Sequence, residues 1–346
     1  MASSEPQTAA NQLNLREHLL AGQVIPAHPL AITSERKLDE RKQEALTRYY
    51  VQSGAGGVAV AVHTTQFALR DHGLLRPVLE LAASSASESV AATDGRPFVL
   101  IAGAIGDTPD AVREASIAQE LGYDAVLLSL AGLDSYSDER LLEHCAAVAD
   151  VLPLVGFYLQ PAVGGRPLGR HFWQRLAELS NLVAVKIAPF DRYRTMDVVR
   201  AIVQAGRSDV ALYTGNDDSI VHDLLTPFPV EVNGEVVHRH VDGGLLGHWA
   251  VWTRSAVRLL AEARRAREAR MLDSKWLRAA AAITDINAAV FDAANDFAGC
   301  IPGIHEVLVR LGLLRGNWTL DPAEHMSPGQ AEEITRVMRM YPEWTE

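Results

Sequence analysis

The residues of this chain that could do chemistry stand at the ends of short apolar runs. One run, Leu182–Pro189, reads LVAVKIAP and carries a single lysine, Lys186, near its end. In strand geometry alternate side chains face opposite sides. Leu182, Ala184 and Lys186 then share one face, while Val183, Val185 and Ile187 share the other, a β-branched set suited to packing under helices. A lysine at a strand end ordinarily snorkels to water. Here, however, a second run, Leu154–Tyr158, ends in Tyr158 one strand–helix unit earlier, and a third, Gly57–Val62, leads into His63-Thr64-Thr65-Gln66. An amine in a mostly apolar pocket holds its proton less tightly, and once neutral it can attack a ketone to form an imine. A neighbouring tyrosine can shuttle protons to and from the carbinolamine. The Thr64-Thr65 turn offers hydroxyls and backbone N–H groups to a carboxylate. Together these are the parts that hold a 2-oxo acid and make it an electron sink.

Such residues need a scaffold that brings strand ends together. Apolar runs recur at Gln23–Ile32, Gly57–Val62, Phe98–Gly103, Ala125–Leu130, Leu154–Tyr158, Leu182–Ile187, Val210–Thr214 and Gly244–Trp249. Between them lie helical patterns at Ser34–Val51 (with Ser34 as N-cap), Leu74–Ala92, Thr108–Leu121, Asp138–Val151, Phe172–Leu179 and Thr195–Ala205. One strand and one helix per roughly 30 residues is the spacing of repeated βαβ crossovers. Strands apolar on both faces belong to a sheet covered by helices. Eight units predict an α/β fold, a closed (β/α)₈ TIM barrel. A doubly wound sheet would need a glycine-rich turn after its first strand, and Gly54-Ala55-Gly56-Gly57 precedes its strand instead. Barrel chemistry sits at the C-terminal strand ends. Those ends bring His28, His63, Thr64, Thr65, Tyr158, Lys186, Gly215 and His248 to one mouth.

The expected organisation is a disordered polar tail at 1–14, a barrel at 15–255 and a helical C-terminal subdomain at 256–346. An insertion at 226–243 interrupts the barrel and reads as a hairpin turning at Asn233-Gly234. A net charge of −11, spread along 346 residues, argues against nucleic acid or an anionic membrane as partner. The N-terminus lacks an apolar signal core, and no stretch reaches membrane-spanning length. Two cysteines, Cys145 and Cys300, make no disulfide framework, so a cytoplasmic setting is expected. His28, His63 and His248 stand on three different strand ends with no carboxylate at ligand spacing, so neither a metal nor a cofactor is expected.

In this setting the chain resembles the dihydrodipicolinate synthase/N-acetylneuraminate lyase family of class I aldolases. Val62–Gln66 (VHTTQ) stands where the family has GTTGE. Val155–Gly165 (VGFYLQPAVGG) matches its YNxP segment, Val183–Ala188 (VAVKIA) its Schiff-base strand, and Tyr213–Asp218 (YTGNDD) its SGDD-like segment. The resemblance runs from about Leu20 to Arg270. It implies Lys186 as the imine lysine, Tyr158 as proton shuttle, Thr64 and Thr65 as carboxylate ligands, and Gly215 lending backbone near the imine. It also implies a homodimer or homotetramer and a small-molecule 2-oxo acid as substrate. The departures are informative: the glycines and glutamate of GTTGE are lost, and an arginine that dihydrodipicolinate synthases use for a second carboxylate falls on Val163. His63, Gln66, His28, Asn216 and His248 are expected around the distal end of the substrate, which would suit a hydroxylated or aromatic tail. The expected activity is a Schiff-base lyase or aldolase. A sugar-acid dehydratase of the same mechanism and a non-catalytic keto-acid-binding barrel are the alternatives.

Overall fold

The computed structural model describes residues 15–93, 96–269 and 271–346, so the expected tail at 1–14 lies outside the described residues. Eight parallel strands form one sheet: β1 (Val24–Pro26), β2 (Gly57–Val60), β3 (Val99–Ala104), β4 (Ala125–Leu128), β5 (Leu154–Leu159), β6 (Leu182–Ala188) and β7 (Ala211–Thr214). After a hairpin of β8 (Phe228–Val232) and β9 (Glu235–Arg239), β10 (Gly243–Leu246) supplies the eighth. Spatial order follows chain order from β2 to β7, and β10 lies between β7 and β1. The circle closes between β1 and β2 through a parallel bridge, Ala27 to Ala59. There the His28 N–H donates to Ala59 O at 2.8 Å and the Gly56 N–H to Val24 O at 3.1 Å. Helices fill the crossovers, and the fold is the expected (β/α)₈ barrel with helices following it.

Two apolar layers result from the strand alternation. Ile25, Ala59, Ile101, Leu127, Val155, Phe157, Ala211 and Leu245 pack inside the barrel. Val58, Ala102, Val126, Leu154, Tyr158, Val185, Ile187 and Leu212 pack outward under the helices. Strand β6 breaks simple alternation. Its pairing with β5 steps from Leu154–Leu182 to Val155–Ala184, leaving Val183 as an extra residue. Such a bulge re-phases the strand. Leu182 therefore packs outward and Val183 inward, the reverse of the sequence expectation, while Ala184 and Lys186 keep their inward face.

Ends of elements shifted where backbone chemistry overrode pattern. The first crossover helix is Glu40–Gln52, capped by Asp39, whose carboxylate accepts from the Lys42 N–H, and not by Ser34. Arg36 sits at φ +58 between them, a left-handed conformation no helix can contain. Strand β1 is only three residues because Pro26 and Pro29 lack ladder donors. A helix over residues 15–20 plugs the N-terminal end of the barrel, with Leu15 and Leu19 joining the interior layer and Arg16 donating to Leu182 O at 2.9 Å. The inserted hairpin turns at Asn233 (φ +53) and Gly234 (φ +84), the turn that Asn-Gly favours. The chain ends in helices Thr253–Glu268, Lys275–Val290, Cys300–Arg310 and Gln330–Met340. Lys275–Val290 is tied to the segment after β7: Asn287 Nδ2 donates to Asp217 O at 2.6 Å and Thr284 Oγ1 to Asp218 O at 2.8 Å.

Candidate active site

Lys186 pairs in register with Phe157 on β5 and Tyr213 on β7 and points into the barrel mouth. Its Nζ lies 4.4 Å from the centroid of the Phe157 ring. Below its chain runs Gly215, whose N–H donates to Ile187 O at 2.7 Å. A Cβ at Gly215 would stand 2.8 Å from Lys186 Cε and from Ala188 Cβ, so glycine is what lets the lysine extend. A cleft opens above the lysine. Its polar lining is His63, Thr64, Gln160, Lys186 and Asp217, and Phe157, Phe190, Phe291 and Phe297 line it with aromatic surface.

Burial governs the charge states. Desolvation lowers Lys186 to about 8, while the nearby Asp217 carboxylate opposes that shift. Desolvation raises Asp217 to about 7, opposed by the Lys186 ammonium. One oxygen of Asp217 is oriented by the His248 backbone N–H, while Oδ1 has no hydrogen-bond partner. His63 is lowered to about 4 by burial and then by Lys186, so its imidazole is neutral. The Cys300 thiol, also in the lining, is pushed up by burial and then by Asp217, so it stays protonated and a poor nucleophile.

Four of the residues singled out in the sequence meet at the cleft: Lys186, His63, Thr64 and Gly215. The others are engaged elsewhere. Tyr158 is the main correction. It alternates with Phe157 on β5 and so faces the helices, against Trp173 with ring centroids 5.1 Å apart. Its hydroxyl donates to Leu168 O at 3.1 Å and accepts from Leu168 N–H at 3.1 Å and Arg194 at 2.9 Å. It does not converge with Lys186. Thr65 Oγ1 donates to His28 O at 2.6 Å and accepts from Val62 N–H, which pins the turn. Gln66 Oε1 accepts from Leu320 N–H at 2.6 Å, anchoring the C-terminal segment. Asn216 Nδ2 donates to Asp223 at 2.9 Å and Thr195 at 3.1 Å, and its Oδ1 accepts from Phe190 N–H at 3.0 Å. His28 has both ring nitrogens bonded, to Pro29 O and Thr47 Oγ1, behind the wall. His248 packs its ring on Trp252, 5.6 Å away, and serves the site only through its N–H.

Sequence reasoning missed Asp217, although it stands two residues after Gly215 and strand parity puts both on one side. It also missed the roof, where Phe291, Phe297, Cys300 and Ile304 descend from the C-terminal helices. Two roof and rim residues carry strained backbone: Phe190 at φ +52 and Phe297 at φ +66. Left-handed conformations cost a bulky residue roughly 1–3 kcal/mol and gather at functional sites. Among the described residues, no group of three or more His, Cys, Asp or Glu is placed to hold a metal ion. Among the same residues, no helix is long and apolar enough to cross a membrane.

The fold and the lysine-bearing mouth define a (β/α)₈ barrel with a buried amine at the C-terminal ends of its strands. The chain belongs to the Dihydrodipicolinate synthetase family, which matches residues 21–227. The 4-hydroxy-tetrahydrodipicolinate synthase of Moorella thermoacetica is 28% identical over 210 residues, 59% of this chain and 66% of that protein. The chain thus spans just under two thirds of that relative's length. A prophage protein of the dihydrodipicolinic acid synthase family from E. coli K12, solved in complex with pyruvate, has the same fold. It shows a TM-score of 0.74 at 18% identity, covering 92% of this chain and 98% of that one. N-acetylneuraminate lyase from Fusobacterium nucleatum superposes with a TM-score of 0.72 at 16% identity, covering 93% and 99%.

Proposed function

We propose that the protein is a Schiff-base lyase that cleaves a 4-hydroxy-2-oxo acid, or forms one by the reverse condensation. The observation that carries this reading is Lys186: an amine inside a closed barrel mouth, 9% exposed, over an aromatic face and beside one carboxylate. Burial that lowers its proton affinity makes it a nucleophile near neutral pH. Its lone pair attacks the C2 carbonyl, and the carbinolamine loses water to give the iminium. The C3–C4 bond then breaks, with its electron pair drawn into the iminium to form an enamine, while the C4 hydroxyl gives up its proton and leaves as an aldehyde. Protonation at C3 and hydrolysis release the shorter 2-oxo acid.

These steps need a group that both takes and returns a proton. With Tyr158 turned to the helices, Asp217 is the suitable candidate in the cleft, its carboxyl raised toward neutrality with a free oxygen. Thr64, whose hydroxyl donates to His28 O at 3.4 Å, lines the mouth and is the residue we assign to the substrate carboxylate. The pyruvate complex of the E. coli relative supports pyruvate as the first ligand to try.

Incubation with pyruvate and borohydride tests the reading by intact mass. The wild-type chain should gain one reduced pyruvate, and Lys186→Ala should gain none and lose turnover by more than 10³-fold. No adduct on the wild type with pyruvate or 2-oxobutanoate, or an adduct that survives Lys186→Ala, sinks it. Product analysis then assigns the bond: a released aldehyde marks the lyase, and loss of water alone marks a dehydratase.

A further inference from the structure

We infer that the aldehyde half of the substrate carries an aromatic ring, packed against the contacting pair Phe190 and Phe297 where they line the cleft. The inference rests on the Schiff-base reading and names the substrate class for the same cleft. Both phenylalanines line the cleft, with ring centroids 5.9 Å apart and planes at 78°. They come from separate parts of the chain, one just past β6 and the other between two C-terminal helices. Each holds a left-handed backbone, where a bulky side chain is an outlier and glycine the natural occupant. Each is locked there by its own hydrogen bond: Phe190 N–H to Asn216 Oδ1 at 3.0 Å, and Phe297 N–H to Asp292 O at 3.1 Å. Two independent strained positions that converge ring against ring are best accounted for by what the rings contact.

The chemistry of the cleft points the same way. Among the described lining residues Lys186 is the one cation, and the imine uses it. A second carboxylate on the substrate would meet Asp217 and no counter-charge. A polyhydroxylated tail laid on the two rings would leave the hydroxyls that face them unpaired, which costs affinity. An aromatic ring laid on the cleft-facing side of this edge-to-face pair extends the aromatic contact.

Equilibrium binding of 2-oxo-4-phenylbutanoate is compared with that of 2-oxobutanoate on the full chain, alongside the pyruvate–borohydride adduct of the same preparation. The phenyl compound should bind at least tenfold tighter to the wild type. The ratio should fall below threefold in Phe190→Leu/Phe297→Leu, with a melting curve to show that the variant is folded. Equal affinities on the wild type, which needs no variant, overturn the inference, as does a phenyl preference that survives in the folded double variant. A phenyl preference without any Lys186 adduct keeps the ring site and sinks the Schiff-base reading; an adduct without the preference does the reverse.

Discussion

Asn216 and Asp217 are chain neighbours that face opposite sides of the barrel wall, and their bonding differs accordingly. Behind the wall, Asn216 joins Thr195, Thr214, Arg192 and the buried Asp223 in a network where each side chain has a partner. Asp223 Oδ2 accepts from Thr214 Oγ1 at 2.6 Å and from Asn216 Nδ2 at 2.9 Å, and Arg192 pairs with its Oδ1. In front, Lys186 and the nearby Asp217 both line the cleft, and Asp217 Oδ1 has no hydrogen-bond partner. A saturated polar network fixes shape, while a buried polar group left unpartnered is costly and persists where something else uses it. The same contrast runs along β5, where Tyr158 is spent on the wall and Phe157 is presented to the amine.

Among the changes that test this contrast, removing the front carboxylate should have the largest effect. Asp217→Asn is expected to lower turnover about 100-fold, the usual scale for losing a general acid–base group. The sign of its pH effect is also fixed. Asp217 raises the Lys186 pKa against burial, so its loss lets that pKa fall below about 8. Because only the neutral amine attacks, the acid limb of the pH–rate profile should move to lower pH in the variant. A limb that stays in place, or moves up, would show that the two groups do not interact. On the wall side the expected loss is of stability. Asp223→Ala leaves Arg192, Thr214 and Asn216 without their acceptor, and denaturant titration should show a loss of about 3 kcal/mol. A variant of wild-type stability would mean the network is dispensable and the contrast unfounded.

The barrel was legible in the sequence because eight apolar runs, buried on both faces, alternate with helices at a steady spacing. Lys186 was singled out less by its own run than by Tyr158 one unit earlier, the Thr64-Thr65 pair and the family resemblance; of these, Thr64 lines the cleft with it and Tyr158 faces the helices. What escaped has a physical cause in each case. The bulge at Val183 depends on the partner strand, which the LVAVKIA run does not contain. In GFYL, Phe157 and Tyr158 are both large and aromatic, so no polar alternation says which faces in; pairing with β6 decides it. The roof residues come from helices whose apolar stripes do not name their partner. His28 and Asn216 look like site residues by type and position, and only their bonding shows them to be structural. The start of the first crossover helix went to Asp39 over Ser34 through one positive φ, which composition does not reveal.

Tyr158→Phe makes the smallest expected change and discriminates best between the two sides of the wall. The hydroxyl has three partners, none of them in the cleft. Its removal strands the Leu168 N–H and one Arg194 donor, a loss of roughly 1–2 kcal/mol. Turnover should stay within threefold of wild type, and the pyruvate adduct should form at an unchanged rate. A tyrosine acting as the proton shuttle would give the opposite pattern: near-normal melting with turnover reduced a hundredfold or more. That result would require the β5 register to place the phenol inside, displacing Phe157 from the amine, and Asp217 would then lose its claim to the proton. Measuring stability and turnover on the one variant therefore decides which face of β5 does the chemistry.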